Sequence, residues 1–326
     1  IGAGVSGDKL TIRTAGGAIT QTLAGVLSTA NSGSVTSPVA NVFNAGTGAI
    51  TLNVAPNTLA AGSVVQLTGS TASISNAGSL WLGTSNVTGA VNVTTTTAGQ
   101  GIQLGAGLGT AGQAINIGGV LTVTTNAGAV TDENYGAQRI FGGLTLNTTG
   151  GTVTLDAARA NGGLAPRIEY GAVSVNSGAG AIDITETTTL NLGAITTTGG
   201  LTARSTTGGV VDSGAFNVNN ALFVLSTASE SVVIDNAGQN IGIVNVQGGT
   251  NHSILVGSAS TLGGSTSVTG NLTFASAAGV ATTLGANSVT GNLTVNSGGT
   301  ITVAGAVAVS GNLSLSSADA GASSIT

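Results

Sequence analysis

The stretch VTGNLTVNSGGTITVAGAVAVSGNLSL, Val289 to Leu315, decides the fold. It carries the word G-N-L-[T/S]-apolar at Gly291 and Gly311, and the same word opens at Gly270. Self-similarity at a period of roughly 20 residues marks a solenoid, in which each repeat buries its apolar face against the next. The apolar residues come in alternating pairs, Leu293/Val295, Ile301/Val303, Val307/Val309 and Leu313/Leu315, separated by Gly, Ala, Ser, Thr and Asn. Alternation over so few residues predicts short, half-buried strands with these eight side chains pointing inward. One long step from Leu293 to Ile301 and two shorter ones, to Val307 and to Leu313, predict three strands joined by corners in each coil. The expected fold is therefore all-β, a right-handed parallel β-helix (β-solenoid), the hand being that of parallel crossovers in general. Coils of roughly 20–29 residues, each rising ~4.8 Å, would extend over roughly 50–80 Å.

Related words run the length of the chain: LTIRT (10–14), GAITLNV (48–54), GAVNVTTTT (89–97), GVLTVTT (119–125), GGLTLNTTGGTVTL (142–155), GAIDITETTTLNL (180–192) and GGLTARS (199–205). Each reads as a strand flanked by glycine, and together they predict one continuous solenoid over 1–326. Strict regularity belongs to the C-terminal third, since Gly242 and Gly270 bracket an interval longer than the one that follows. An irregular segment is expected at 22–46, where TLAGVLSTANSG and TSPVANVFNAG come nearest to a helical stripe. Pro38, Pro56 and Pro166 are expected in turns or at edges, because proline inside a parallel ladder forfeits a hydrogen bond.

Composition narrows the function. With 5% charged residues, 2% aromatic residues and 55 glycines among 326, the chain departs far from a globular enzyme, in which about 25% of residues are charged. Hydrophobic residues still make up 41%, and they alternate, so there is apolar surface to bury and disorder is not expected. One Trp, two Tyr and five Phe cannot build the aromatic girdles of a membrane barrel, and no membrane insertion is expected. Net charge is −5 with six Lys and Arg, which gives no footprint for nucleic acid or anionic lipid. Without cysteine there are no disulfides and no thiolate metal sites. A first residue of Ile1 rather than Met suggests a processed chain or an excerpt.

The one dense patch of charged and aromatic groups is 132–170: Asp132, Glu133, Tyr135, Arg139, Phe141, Asp156, Arg159, Arg167, Glu169 and Tyr170. It predicts two lateral loop excursions from neighbouring coils, and loops on one flank are where solenoids carry recognition. Elsewhere the chemistry thins out. GLGTAG (107–112) matches the dinucleotide fingerprint, but strand text follows it, so no helix dipole would hold a phosphate. His252 is the sole histidine and reads as a surface imidazole. Asp156, Asp183, Asp212 and Asp235 recur at intervals comparable to one coil, so stacked coils could align some of them for polysaccharide cleavage; isolated turn-capping is the simpler reading. No tandem calcium-binding nonapeptide occurs, and no cofactor is expected. The T-x-T pairs Thr122/Thr124, Thr152/Thr154, Thr185/Thr187 and Thr300/Thr302 would suit an ice-binding ladder, but they fall at no constant spacing. Asn271, Asn292 and Asn312 do keep the period and predict a structural ladder of amides bonding along the axis.

AGGAIT (15–20), GTGAITL (46–52), NAGAVTD (126–132), GGVVDSG (208–214) and the G-N-L-T words resemble the repeat region of filamentous-haemagglutinin-like surface proteins over most of residues 10–315. That resemblance implies a right-handed β-helix at the bacterial cell surface or outside the cell, acting as an adhesin shaft or biofilm fibre. It brings no catalytic motif. The expected protein is a non-enzyme. Its partners would be copies or further coils along the solenoid axis, and surface glycans or a cell-surface receptor. A polysaccharide-binding or polysaccharide-degrading β-helix is the rival reading, and an ice-binding solenoid a third.

Overall fold

The computed structural model describes residues 1, 4–23, 25–30, 40–60, 63–105, 114–132, 137–157, 168–226, 229–319 and 325–326. Among them the chain forms thirty-seven strands with described bounds, and the fold is an all-β parallel β-solenoid. Two compact units, Ile1–Gly180 and Ala181–Thr326, divide it.

In the first unit, inward residues stack in register from coil to coil. Ile19, Ile50, Ala72, Val91, Leu121, Leu144 and Val173 form one buried column. Leu80, Ile102, Val130 and Val153 form another on a second side. In the second unit, Leu272 and Leu293 stack with Leu313, and Phe274 and Val295 with Leu315. Each fully buried aliphatic side chain contributes about 1.5–3 kcal/mol, and the parallel ladder satisfies the backbone groups that burial would otherwise strand. The fold is thus a set of columns, and alternation in the sequence selects which residues enter them.

Three strands per coil hold in the C-terminal part: Asn271–Ser276, Thr282–Leu284 and Asn287–Val289 pair with Leu293–Ser297, Ile301–Val303 and Val307–Val309 of the next coil. Coil length varies more widely than the repeat words predict. Ala72 meets its in-register partner already at Val91, whereas Thr11 meets its own only at Val42. The strands on either side of these unequal steps pair in register. Of the helical possibility at 22–46, the described residues hold two strands, Leu27–Thr29 and Ala40–Asn44, while 24 and 31–39 lie outside the described residues. Pro56 sits in Ile50–Asn57 where the register with Ala72–Asn76 shifts, as a missing N–H requires. Pro38 and Pro166 lie outside the described residues.

The eight residues expected to point inward divide. Leu293, Val295 and Ile301 are fully buried; Val307, Val309 and Leu315 are half-buried, and Val303 and Leu313 are 42% and 48% exposed. All eight keep their columns. The five less buried ones belong to the last strands described, which the described residues cover mainly from one side.

Candidate functional site

The G-N-L word has a steric cause. A Cβ on Gly291 would lie 2.6 Å from the backbone of Gly270, and one on Gly311 would lie 2.6 Å from the Gly291 carbonyl oxygen. The asparagines then bond upward: Asn271 Oδ1 accepts the Asn292 N–H at 2.9 Å, and Asn292 Oδ1 accepts the Asn312 N–H at 2.8 Å. This is a ladder of side chain to backbone rather than the amide-to-amide stack expected. One amide rung does occur, Asn271 Nδ2 to Asn251 Oδ1 at 2.9 Å. Asn251 was legible one period before Asn271, although no G-N-L word marks it.

Corners in the first unit close on a second column. Thr95, Thr125, Thr148 and Ser177 are buried, and their hydroxyls donate to the carbonyls of Gln100, Gly128, Gly151 and Gly180 at 2.6–2.7 Å. A hydroxyl at the strand end with glycine at the third position beyond it is the sequence signal for all but the Thr95 corner. Below the Thr95 level the column holds Asn57 and Asn76, whose amides bond the backbone of their own and neighbouring coils.

Two aspartates act as staples between coils. Asp132 Oδ1 accepts the N–H groups of Asp156 at 2.9 Å and Ala157 at 3.2 Å. Burial pushes its carboxyl up to about 7, against the lowering effect of those bonds, and the Asp156 carboxylate adds to the rise. In the second unit Asp212 does the same work, taking the N–H groups of Asp235 at 3.1 Å and Asn236 at 3.2 Å and the Gln239 amide. Asp183 instead pairs in register with Thr202 on another strand, so the second-unit aspartates do not fall into one file.

His252 corrects the surface reading. It is 3% exposed, its Nδ1 accepts the Val232 N–H at 2.9 Å, and Nε2 bonds the Gly248 carbonyl at 2.9 Å. These partners fix the neutral ring with its proton on Nε2. Burial holds its pKa below the ordinary value of 6.5. Its alternation with Ile254 and Val256 was the available signal that it faces inward.

The described part of the patch at 132–170 holds the strands Ala137–Ile140, Leu144–Asn147, Val153–Leu155 and Ile168–Tyr170, with turns between the first three. Arg139 and Glu169 occupy Ala137–Ile140 and Ile168–Tyr170, strands paired in register, and Arg139 Nε meets Glu169 Oε2 at 3.2 Å. The Arg139 guanidinium carbon lies 5.2 Å from the ring centre of Phe141, which is 59% exposed. Tyr170 is 5% exposed and turned into the core, its hydroxyl donating to Gln138 Oε1 at 3.1 Å, so it offers no surface for recognition. Glu133, Tyr135, Arg159 and Arg167 lie outside the described residues, as does GLGTAG.

Of the threonine pairs, Thr122/Thr124 continue in register into Thr145/Asn147 and Ser174/Asn176, and Thr302 stacks on Thr283 and Thr261. Thr154 pairs with Thr131, whereas Thr185 is buried and belongs to no outward ladder. Among the described residues no three of His, Asp and Glu gather as metal ligands.

These columns define the class: a repeat protein of β-solenoid architecture. Residues 178–247 and 269–326 match the model of a family described as repeats of unknown function (DUF5649). No curated protein and no solved structure matches the chain.

Proposed function

We propose that the chain is an extracellular structural and adhesive element, part of an adhesin shaft or a biofilm fibre at the bacterial cell surface, and not an enzyme. One observation carries the reading: Asp132, Asp212 and His252 each bond the backbone of the neighbouring coil, so groups suited to acid–base work are engaged in stacking. The short words resembling filamentous-haemagglutinin-like repeats support the surface location. Self-association or continuation along the stack belongs to the same reading, since parallel coils add one to the next through a single repeated contact.

A panel of polysaccharides assayed for new reducing ends and unsaturated products tests the non-enzymatic reading. No turnover is expected; turnover abolished by Asp156→Ala or Asp183→Ala would establish the polysaccharide-degrading alternative instead. Electron microscopy tests the association, with concentration-dependent end-to-end contact expected and persistent monomers counting against it.

A further inference from the structure

We infer that the face of the first unit carrying Phe141 binds an extended, neutral polysaccharide laid along the stacking direction. The inference rests on the adhesive reading and names its ligand class. On this face the outward residues of successive coils are in register: Asn86 pairs with Asn116, Asn116 with Arg139, and Arg139 with Glu169. Two amides, a guanidinium and a carboxylate thus follow one another at ~4.8 Å intervals, and each amide offers both a donor and an acceptor to a chain of hydroxyls.

Phe141 stands beside this file. The residues flanking it on the coils below and above are Gly118 and Gly171, which follow Ile117 and Tyr170 in the paired strands. A Cβ at Gly171 would come within 2.8 Å of the Phe141 carbonyl oxygen, and one at Gly118 within 2.2 Å of the Thr88 carbonyl oxygen. Backbone packing therefore keeps both neighbours bare, and no side chain from either shields the ring. Even with the Arg139 guanidinium over it, 5.2 Å from its centre, the ring stays 59% exposed, and an exposed ring beside polar groups takes the apolar face of a sugar while those groups hydrogen-bond its hydroxyls.

Charge selects among glycans. The Arg139 charge is met by Glu169 at 3.2 Å, the asparagines carry none, and the chain as a whole is at −5. A polyanion gains nothing from such a face, and a neutral chain loses nothing.

The test is affinity electrophoresis of the whole 326-residue chain through gels containing hydroxyethylcellulose, xyloglucan, galactomannan or laminarin, with polygalacturonate and heparin as anionic probes. At least one neutral polysaccharide should retard the protein, with retardation insensitive to salt. Phe141→Ala should weaken it roughly tenfold, Phe141→Tyr should preserve it, and Arg139→Gln should reduce it. Leu23→Ala, at an exposed residue elsewhere, should change nothing. Retardation by no neutral probe, retardation by the anionic probes alone, or equal retardation of Phe141→Ala would each overturn the inference. Beads coated with the protein separate it from the adhesive reading. If wild-type and Phe141→Ala beads adhere equally to cells, adhesion stands and this inference falls. If binding depends on Phe141 but no bead adheres, the inference stands and adhesion falls.

Discussion

At Gly291 a hydrogen stands where any side chain would strike the coil beneath, and that single contact explains why the G-N-L word repeats. Gly291→Ala should cost roughly 1–3 kcal/mol, the range for overpacking. Gly264→Ala, whose Cβ would meet nothing closer than 3.8 Å, should be neutral or slightly stabilising through the unfolded chain. Chemical denaturation of the two variants makes the comparison; equal costs would mean that close approach does not set the word.

His252 and Asp132 give the two units opposite responses to acid. The folded pKa of His252 is lowered, so below its ordinary 6.5 the unfolded chain takes up a proton that the folded ring refuses, and the second unit loses stability as pH falls. Asp132 is raised from 3.8 to about 7, so across that window the unfolded chain ionises first, and the first unit gains stability as pH falls. Thermal melts followed against pH should therefore lose their acid-side decline in His252→Gln and their gain in Asp132→Asn. A wild-type profile that neither variant alters would show these groups to be uncoupled from folding.

Strands and corners divide the work between legible and hidden signals. Alternation exposed the inward residues from Leu293 to Leu315, because with nearly constant spacing the period and the strand pattern agree. Over the patch at 132–170 the chain runs from Leu144 to Val173, and from Arg139 to Glu169, before each residue meets its in-register partner, and 133–136 and 158–167 of the expected excursions lie outside the described residues. Those long intervals read as loops, although the strands bounding them keep register. Tyr170 was misplaced for the same reason; its parity with Ile168 puts it inside once the strand is known. The staples were illegible because an aspartate at Asp132 that bonds the backbone of Asp156, on the next coil, leaves no pattern of its own. Corner hydroxyls are a prediction at this scale. Thr148→Val removes a buried donor to the Gly151 carbonyl and should cost about 1–2 kcal/mol, whereas Thr145→Val on the outward face should stay within about 0.5 kcal/mol.

For the molecule as a whole, unequal sequence steps, short from Ala72 to Val91 and long from Thr11 to Val42, lead to in-register partners, with shifts at Leu52/Asn57 and Val218/Ala221. The chain contains no cysteine, so paired cysteine substitutions report register without background. Outward residues on adjacent coils stand close enough for a disulfide. The measurement is the yield of intramolecular disulfide under mild oxidation in three double variants: Thr122→Cys/Thr145→Cys, Thr145→Cys/Ser174→Cys and Thr273→Cys/Thr294→Cys, whose members are in-register partners despite unequal separations along the chain. All three should close to a similar extent, while Thr122→Cys/Thr154→Cys, on different sides of the coil, should stay reduced. Closure only in the pair from the regular C-terminal repeats, or closure in the control, would mean that these residues do not share one register.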